Sequence, residues 1–319
     1  MSGQYLRKAS LVVASLSDAL DLSAFRFTFE THQWDLMGTP NHVIVRVYNL
    51  SDQTVNKIIS LNGPNAGTPE YTRLILQAGY EDGPYGTIFD GTIAYYRVGR
   101  ESPTDTYLDI TTVDGDEANN FGVVNQTLAA GATPNDQIST IVSTALSPYS
   151  IKLGWIPPTF PAQPLPRGKV LFGMARKHLR DIANTNGMRA SIQNGQLQFM
   201  PLTSYLPGQA VVLNSYTGMI GIPEQTQGGI QISSLLNPNF KVNGAVQIDN
   251  KSIQSIALDP SLAGQLQIAF APIVTADGFY RILVLKHRGD TRGNDWYSDM
   301  VCVGINQAAP PGLTVKGYG

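Results

Sequence analysis

The chain reads Phe279-Tyr-Arg-Ile-Leu-Val-Leu-Lys-His287, then Arg288-Gly-Asp-Thr-Arg-Gly-Asn-Asp295, then Trp296-Tyr-Ser-Asp-Met-Val-Cys-Val-Gly-Ile305. β-branched and aromatic residues dominate the first and third segments, which predicts two strands joined by a polar loop. Alternation gives the first strand two largely apolar faces, with Phe279, Arg281, Leu283, Leu285 and His287 on one and Tyr280, Ile282, Val284 and Lys286 on the other. Because such a strand needs cover on both sides, the pair predicts a barrel or a closely packed sheet.

The loop between these strands is longer than a tight turn requires. Its charges, Arg288, Asp290, Arg292 and Asp295, cancel, which favours local pairing or a specific protein contact. Arg288-Gly289-Asp290 also has the form of an adhesion tripeptide, but a glycine-bearing turn explains it equally well and is the interpretation we prefer. We predict that four residues contact a neighbouring subunit: Arg288, Asp290, Arg292 and Trp296.

Composition limits the classes of function. Of the 319 residues, 42% are hydrophobic and only 14% are charged, which predicts that much of the surface is buried against partners. The net charge of -2 provides no basic field for stable nucleic-acid binding. The single cysteine, Cys302, excludes an internal disulfide and a zinc site with several cysteines. Without a signal-like start or 18 uninterrupted apolar residues, we expect a soluble protein made in the cytoplasm, with no membrane anchor.

Residues 1–120 have the pattern of a small antiparallel barrel, with Gly, Pro and Asp clusters between short strands. The predicted strands are Phe25–Thr31, Val43–Tyr48, Tyr71–Tyr80, Thr87–Arg97 and Thr106–Val113. A short helix interrupts them, because Val55, Ile58 and Ile59 recur at helical spacing after the capping residues Ser51 and Asp52.

Residues 121–205 change to a mixed α/β pattern. Thr133-Pro134-Asn135-Asp136 supplies the start signals of a first helix, and the prolines from Pro157 to Pro166 indicate an extended linker. A second helix is predicted over Lys169–Asn184, with Gly187 as its stop. The hairpin Met188–Gln193 and Gln196–Met200 follows, because Asn194-Gly195 favours a type I′ turn.

Residues 206–319 return to strands, which adds Ala210–Leu213, Gly229–Leu236, Gly244–Ile248 and Gln265–Ala271 to the closing pair. The sequence therefore predicts a mainly β fold with an α+β middle module. Two small antiparallel barrels, residues 1–120 and 206–319, would flank a helix and hairpin domain at 121–205, and strands would be free to interleave between the domains.

Ordered short motifs in both halves resemble baseplate central hub proteins of contractile-tailed bacteriophages. The rear half carries Tyr216-Thr217-Gly218-Met219-Ile220-Gly221-Ile222-Pro223-Glu224, Leu235-Leu236-Asn237-Pro238, Val246-Gln247-Ile248-Asp249-Asn250 and the closing pair. The front half carries Phe25–Thr31, Gly86–Gly91 and Gly99-Arg100-Glu101-Ser102. Each motif is weak alone, and their order over nearly the whole chain carries the resemblance.

The resemblance implies a structural virion protein with no enzymatic activity and no cofactor. In that family three chains form a ring, each contributing two barrels related to the tail-tube fold. Such a ring would match the six-fold tail tube to the three-fold central spike and leave an axial channel for DNA. The implied partners are two further copies of the chain, the tail spike protein, the tail tube protein and other baseplate proteins.

The residues themselves indicate no catalytic or metal site. The four histidines are scattered, and Asp114-Gly115-Asp116-Glu117 lacks the later ligand and glycine of a calcium loop, so we predict a solvated turn there. One alternative is a tail-associated peptidoglycan-degrading enzyme, for which Glu30 with Asp35, or Asp82 with Asp90, would supply paired carboxylates. Another is host-surface carbohydrate binding through Trp34, Tyr95, Tyr96, Trp155 and Tyr205.

Overall fold

The computed structural model describes residues 4–15, 18–36, 39–61, 73–161, 163–226, 228–248 and 278–305. The predicted strand Gln265–Ala271 lies outside these residues. Within them, the strands form three sheets, of thirteen, two and three strands.

The first part of the chain is built from strands that alternate buried and exposed residues. Its elements are β1 (Arg7–Ala14), β2 (Ala19–Asp21), β3 (Phe27–Trp34), β4 (His42–Tyr48), α1 (Asp52–Leu61), β5 (Arg73–Tyr80), β6 (Tyr85–Arg100) and β7 (Thr106–Val113). The five predicted strands and the helix are confirmed, with shifted ends except for Thr106–Val113, while β1 and β2 were missed; Tyr71 and Thr72 of the predicted strand Tyr71–Tyr80 lie outside the described residues. The strands enclose one apolar cluster that includes Phe27, Val45 and Leu76.

The middle part is mixed. It contains α2 (Asp116–Phe121), β8 (Val123–Leu128), α3 (Pro134–Ile141) with a π turn at Val142–Leu146 and a 3-10 turn at Ser147–Tyr149, β9 (Lys152–Leu153), β10 (Lys169–Met174), α4 (Ala175–Thr185), β11 (Met188–Gln193) and β12 (Gln196–Pro201). Thr133 and Asp136 form the predicted capping box on α3. The predicted hairpin is also confirmed, since Asn194 and Gly195 have φ of 50° and 72°.

The predicted helix Lys169–Asn184 is wrong over its first six residues, which form β10. Leu171 is buried while Val170 and Phe172 are exposed, which is strand alternation rather than a helical stripe. Pairing with β8 satisfies the backbone of this segment, and Gly173 with φ of 116° separates it from the helix. The short apolar run Val-Leu-Phe fits both periods, which explains the error.

The last part of the chain supplies β13 (Val211–Leu213), β14 (Met219–Thr226), β15 (Gly229–Leu235), β16 (Ala245–Ile248), β17 (Phe279–Asp290) and β18 (Trp296–Gly304). Strand β14 was missed. A second strand-rich core, which includes Ile230, Phe240, Tyr280 and Cys302, lies between these strands. Cys302 is buried in it as predicted, and burial raises the pKa of its thiol.

One sheet joins the two ends of the chain. Its strand order is β14-β15-β18-β17-β3-β4-β7-β6-β5-β1-β2, with β16 also pairing β17 and β13 pairing β16. The long strand β17 makes this possible, because its first residues pair with β16 and its later residues pair with β3, from Val284↔Trp34 to Asp290↔Thr28.

The mainly β fold with an α+β centre is confirmed, but closed barrels are not seen among the described residues. Closure requires the two outermost strands to find partners, and β2 and β14 end the path of strand pairs. The two strand-rich units are therefore two regions of one sheet, each with its own core. The domain boundaries at 120 and 205 stay a prediction.

A β-bulge corrects the predicted faces of β17. The pairing with β18 shifts between Ile282 and Val284, so the alternation changes side at Leu283. Tyr280, Ile282 and Leu285 consequently share the second core, although strict alternation had put Leu285 on the opposite face.

Candidate assembly surface

The closing loop lies against the first part of its own chain. Arg26 Nη2 is 2.7 Å from Asp290 Oδ2, and the Thr291 amide donates to the Phe27 carbonyl at 3.1 Å. From β1, Arg7 donates to the carbonyls of Gly293 and Asn294 at 2.6 and 2.9 Å. The loop is therefore held by β1, β3 and the residue before β3, and its length serves to reach them.

Trp296, one of the four predicted contact residues, is buried within its own chain. It is 1% exposed and belongs to the first core, where its ring meets the edge of Phe29 at a centroid distance of 5.5 Å. Arg7 lies 5.6 Å from the centre of the indole. Trp296 thus stabilises the junction between β18 and the first sheet region, so it is not an exposed anchor for a neighbour.

The three charged members of the predicted contact differ in exposure. Arg288 Nε donates to Asp299 at 2.9 Å, with its guanidinium over Tyr297. Burial acts to raise the pKa of Asp290, but the hydrogen bonds from Arg26 and the Arg292 amide outweigh it and leave that pKa below its ordinary value. Arg292 is exposed, and its guanidinium donates to the Ala24 carbonyl at 3.3 Å. Arg292 is the member best placed to meet a second chain, and the contact itself stays a prediction.

Charged side chains of alternating sign cross the same face of the sheet, and we call them the acid-base ladder. Its members are Asp299 of β18, Lys286 and Arg288 of β17, Glu30 of β3, Arg46 of β4, Asp109 of β7 and Arg97 of β6. The pairs are close, at 2.5 Å for Lys286 to Glu30, 2.7 Å for Arg46 to Asp109 and 3.4 Å for Arg97 to Asp109.

The ladder lines a groove of about 780 Å³ that runs across β15, β18, β17, β3, β4 and β7. Ile44, half-exposed, is its main apolar member. Each exposed pair contributes little to stability alone, typically about 0–1 kcal/mol. Five acidic and three basic side chains line the groove, so it is polar and wide and has no net positive charge.

Three of the four carboxylates considered for hydrolysis are engaged in ion pairs, and the fourth, Asp82, is exposed in the turn between β5 and β6. Glu30 accepts from Lys286 and from His32, at 2.5 and 2.9 Å. Asp35 is buried and accepts from Arg189 at 2.8 Å, and Asp90 is bonded to Arg73. Of the aromatic residues considered for sugar binding, Tyr95 and Tyr96 lie on β6, Trp34 lies on β3 and stacks on His32, and Trp155 and Tyr205 lie in loops. His287 is buried, bonded to Ser298 at 2.8 Å, with its pKa lowered to about 4 by burial.

A buried polar seam attaches the middle module to the first sheet region, and the sequence did not reveal it. Asp114, predicted to lie in a solvated turn, is buried because its Oδ1 accepts from the Gly195 amide in the β11–β12 turn at 2.9 Å. Burial raises the pKa of Asp114 to about 7. Asn41 donates to the Ile192 carbonyl at 3.0 Å, and the Asp35–Arg189 pair crosses the same seam.

The fourth charged residue near this seam is Arg281 of β17. It is fully buried and donates to the Pro201 and Ser204 carbonyls at 3.0 and 2.7 Å. Burial lowers its pKa, and the Asp35 carboxylate opposes that shift. The seam therefore ties the first region, the middle module and the last region of the chain to one another. No motif signals it, because its partners are 77 to 154 residues apart in the chain.

Two classes of site find no support in the described residues. No group of three or more His, Cys, Asp or Glu side chains there is arranged to hold a metal ion. None of the helices in that part of the chain is long and apolar enough to cross a membrane.

Solved structures with this fold come from phage tails and a secretion machine. The prophage MuSo2 43 kDa tail protein from Shewanella oneidensis has a TM-score of 0.57 and 8% identity, over 94% of this chain and 99% of that one. A tail protein from Neisseria meningitidis MC58 has a TM-score of 0.54 and 10% identity, over 94% and 97%. The E. coli c3393 protein, a type VI secretion component described as similar to T4 tail proteins gp27 and gp5, has a TM-score of 0.55 and 10% identity, over 97% and 80%.

Sequence comparison supplies the family. No curated protein sequence is significantly similar to this chain. The family model described as baseplate hub gp41 matches residues 37–270. That match covers well over half of the chain, and the mainly β fold agrees with tail proteins. The chain therefore belongs to the baseplate hub gp41 family, as a structural component of the phage virion.

Proposed function

We propose that three copies of the chain form the hub ring of a contractile tail, which adapts the six-fold tail tube to the three-fold central spike. One observation carries this proposal. Each chain presents two strand-rich units with separate cores on one continuous sheet, joined where β17 pairs with β3. Three such chains would offer six units to the tube and three repeats to the spike.

The ends of the sheet suggest how the ring closes. In the described part of the chain, β2 and β14 each have only one strand partner, so their outer edges are open. Open edges are templates for pairing with another chain. In the proposed ring, the β14 edge of one copy lies beside the β2 side of the next, with Arg292 near the contact.

The acid-base ladder is the surface that we assign to the axial channel. It is polar, it extends over both strand-rich units, and its charges are compensated by partners 2.5 to 3.4 Å away. The groove beside the ladder is lined by five acidic and three basic side chains, and a wall without net positive charge does not retain a polyanion by releasing its counterions. Such a lining would let DNA pass without stable binding, and the chain would act without catalysis.

Light scattering coupled to size exclusion tests the assembly. We expect a species of three times the chain mass of 34.5 kDa, which binds the purified tail spike and tail tube proteins. A species that stays monomeric at micromolar concentration and binds neither protein would contradict the proposal. Clearing of peptidoglycan by the purified chain, or saturable binding to host polysaccharide, would support the corresponding alternative instead.

A further inference from the structure

A small sheet in the middle module exposes an apolar face. Strands β8 and β10 pair only with each other among the described residues. Val170 and Phe172 of β10 are 64% and 72% exposed, Val123 of β8 is 54% exposed, and Phe121 just before β8 is 59% exposed. We call these four residues the apolar patch.

The register of the two strands places Val170, Phe172 and Val123 on one face of the sheet, and Phe121 lies two residues before Val123 in the chain. Phe172 lies opposite Asn125 and Val170 opposite Thr127, while Met174 lies opposite Val123. The other face of the same sheet holds Val124 and Leu171, which are fully buried in the middle core. The sheet is therefore anchored on one side and presents large apolar side chains to solvent on the other. Contiguous apolar surface of this kind is typical of protein-protein contact sites.

Basic residues border the patch. Arg176 Nη1 lies 3.5 Å from Asn120 Oδ1, beside Phe121, and His178 Nε2 lies 3.1 Å from the Phe172 carbonyl. On the same helix, Lys177 and Arg180 are exposed. Within the described ranges, no carboxylate lies within ion-pair distance of Arg176, Lys177 or Arg180.

The charge of the middle module differs in sign from that of the whole chain. Residues 121–205 hold seven of the 22 Lys and Arg but only two of the 24 Asp and Glu, whereas the chain as a whole has a net charge of -2. The module that carries the apolar patch is thus basic as a whole, and Arg176 and His178 are the basic side chains bonded next to the patch. A partner that covers this surface gains most if it brings apolar side chains flanked by carboxylates, because complementary charges steer and select the encounter.

We infer that the apolar patch and its basic border form a docking site for an acidic segment of another protein. Apolar side chains of that segment would pack on Phe172 and Val170. The site belongs to the β8–β10 sheet, whereas the edges assigned to the ring belong to β2 and β14 of another sheet. Its occupant would be an accessory chain rather than a further copy of this one.

The test uses the purified full-length chain and a fluorescein-labelled peptide in which leucine and valine alternate with aspartate and glutamate. Fluorescence anisotropy should show saturable binding. The same peptide with lysine in place of the acids should bind at least about tenfold more weakly, a difference of roughly 1.4 kcal/mol. Added salt should weaken binding of the acidic peptide, since the basic border is exposed.

Two variants separate the two parts of the site. The double variant Val170→Ser with Phe172→Ser should reduce affinity for the acidic peptide by about tenfold or more, because it removes the anchors. Lys177→Glu with Arg180→Glu should reduce affinity and also flatten the salt dependence. Tyr95→Ser, which changes an exposed aromatic residue on β6, is the matched control and should bind as the wild type does. Circular dichroism checks that each variant is folded.

Several results would contradict the docking site. No saturation by the acidic peptide, equal binding of both peptides, or unchanged binding by the patch variant would overturn the inference. Loss of self-association in the patch variant, with no effect on the peptide, would assign the patch to a second copy and would also overturn it. Because the peptide assay needs no ring, its failure is separate from failure of the hub proposal.

Discussion

Replacing Asp114 by Asn should remove a component of the pH dependence of folding stability. The buried carboxyl has a pKa of about 7 in the folded chain, against 3.8 for an ordinary aspartate. The folded state thus binds the proton more tightly than the unfolded state. The contribution of this carboxyl to the free energy of unfolding is fully present below about pH 4 and is lost as the pH rises to about 7.

The size follows from the shift. Each pKa unit corresponds to about 1.4 kcal/mol, so the whole shift corresponds to an upper value of about 4 kcal/mol in the free energy of unfolding. Asparagine is neutral at every pH and keeps an oxygen to accept from the Gly195 amide. Asp114→Asn should therefore resemble the wild type near pH 4 and become more stable than it above about pH 7.

Urea unfolding at a series of pH values measures this difference directly. Subtracting the variant from the wild type cancels the other titrating groups, such as His287. Asp136→Asn is the control, because the capping contacts of Thr133 lower the pKa of Asp136 below 3.8, and its contribution is lost only as the pH falls through that lowered range. If Asp114→Asn keeps the pH dependence of the wild type between about pH 4 and 7, the buried, protonated state of Asp114 is refuted.

Three further substitutions test the packing and the assembly. Trp296→Ala should lower the free energy of unfolding of the monomer by about 3–5 kcal/mol, as urea unfolding would show, and loss of assembly alone would contradict its place in the core. Arg292→Ala should leave monomer unfolding unchanged but reduce the trimer fraction in light scattering, and an unchanged fraction would remove Arg292 from the contact. Asp35→Ala should cost up to about 3–5 kcal/mol in unfolding free energy, because it leaves the largely buried Arg189 guanidinium without its partner, whereas a neutral effect would show that the pair is dispensable.

The sequence predicted correctly those turns, caps and strands that depend on residues close together in the chain. Asn194-Gly195 specifies its turn because both residues must take positive φ, and Thr133 with Asp136 satisfies the first amides of α3 through bonds three residues apart. The strand Thr106–Val113 was predicted with its observed ends, since β-branched residues alternate between clear breakers.

Features that depend on distant partners were not predictable in the same way. Lys169–Met174 becomes a strand because β8 pairs with it. The bulge at Leu283 moves the following side chains of β17 to the opposite face of the sheet. Asp114 is buried only because the Gly195 turn, 81 residues later, packs on it.

In the predicted contact loop, one expectation from the sequence agrees with the structure and another does not. Its balanced charges indicated pairing, and Asp290 does pair, with Arg26 of the same chain. Trp296, predicted to contact a neighbouring subunit, instead lies on the buried face of β18. What the residues alone did not show is that this face is covered by β1 and β3 of the same chain, because that depends on the β17–β3 junction.

A hub ring of three chains, each with two strand-rich units on one sheet, has a geometry that can be seen directly. The decisive experiment is a reconstruction of the assembled baseplate at a resolution that traces strands. We predict three copies around the tail axis, six strand-rich units facing the tube, and the acid-base ladder on the channel wall. Six copies with one unit each at the axis, or a chain located away from the axis, would be incompatible with this ring.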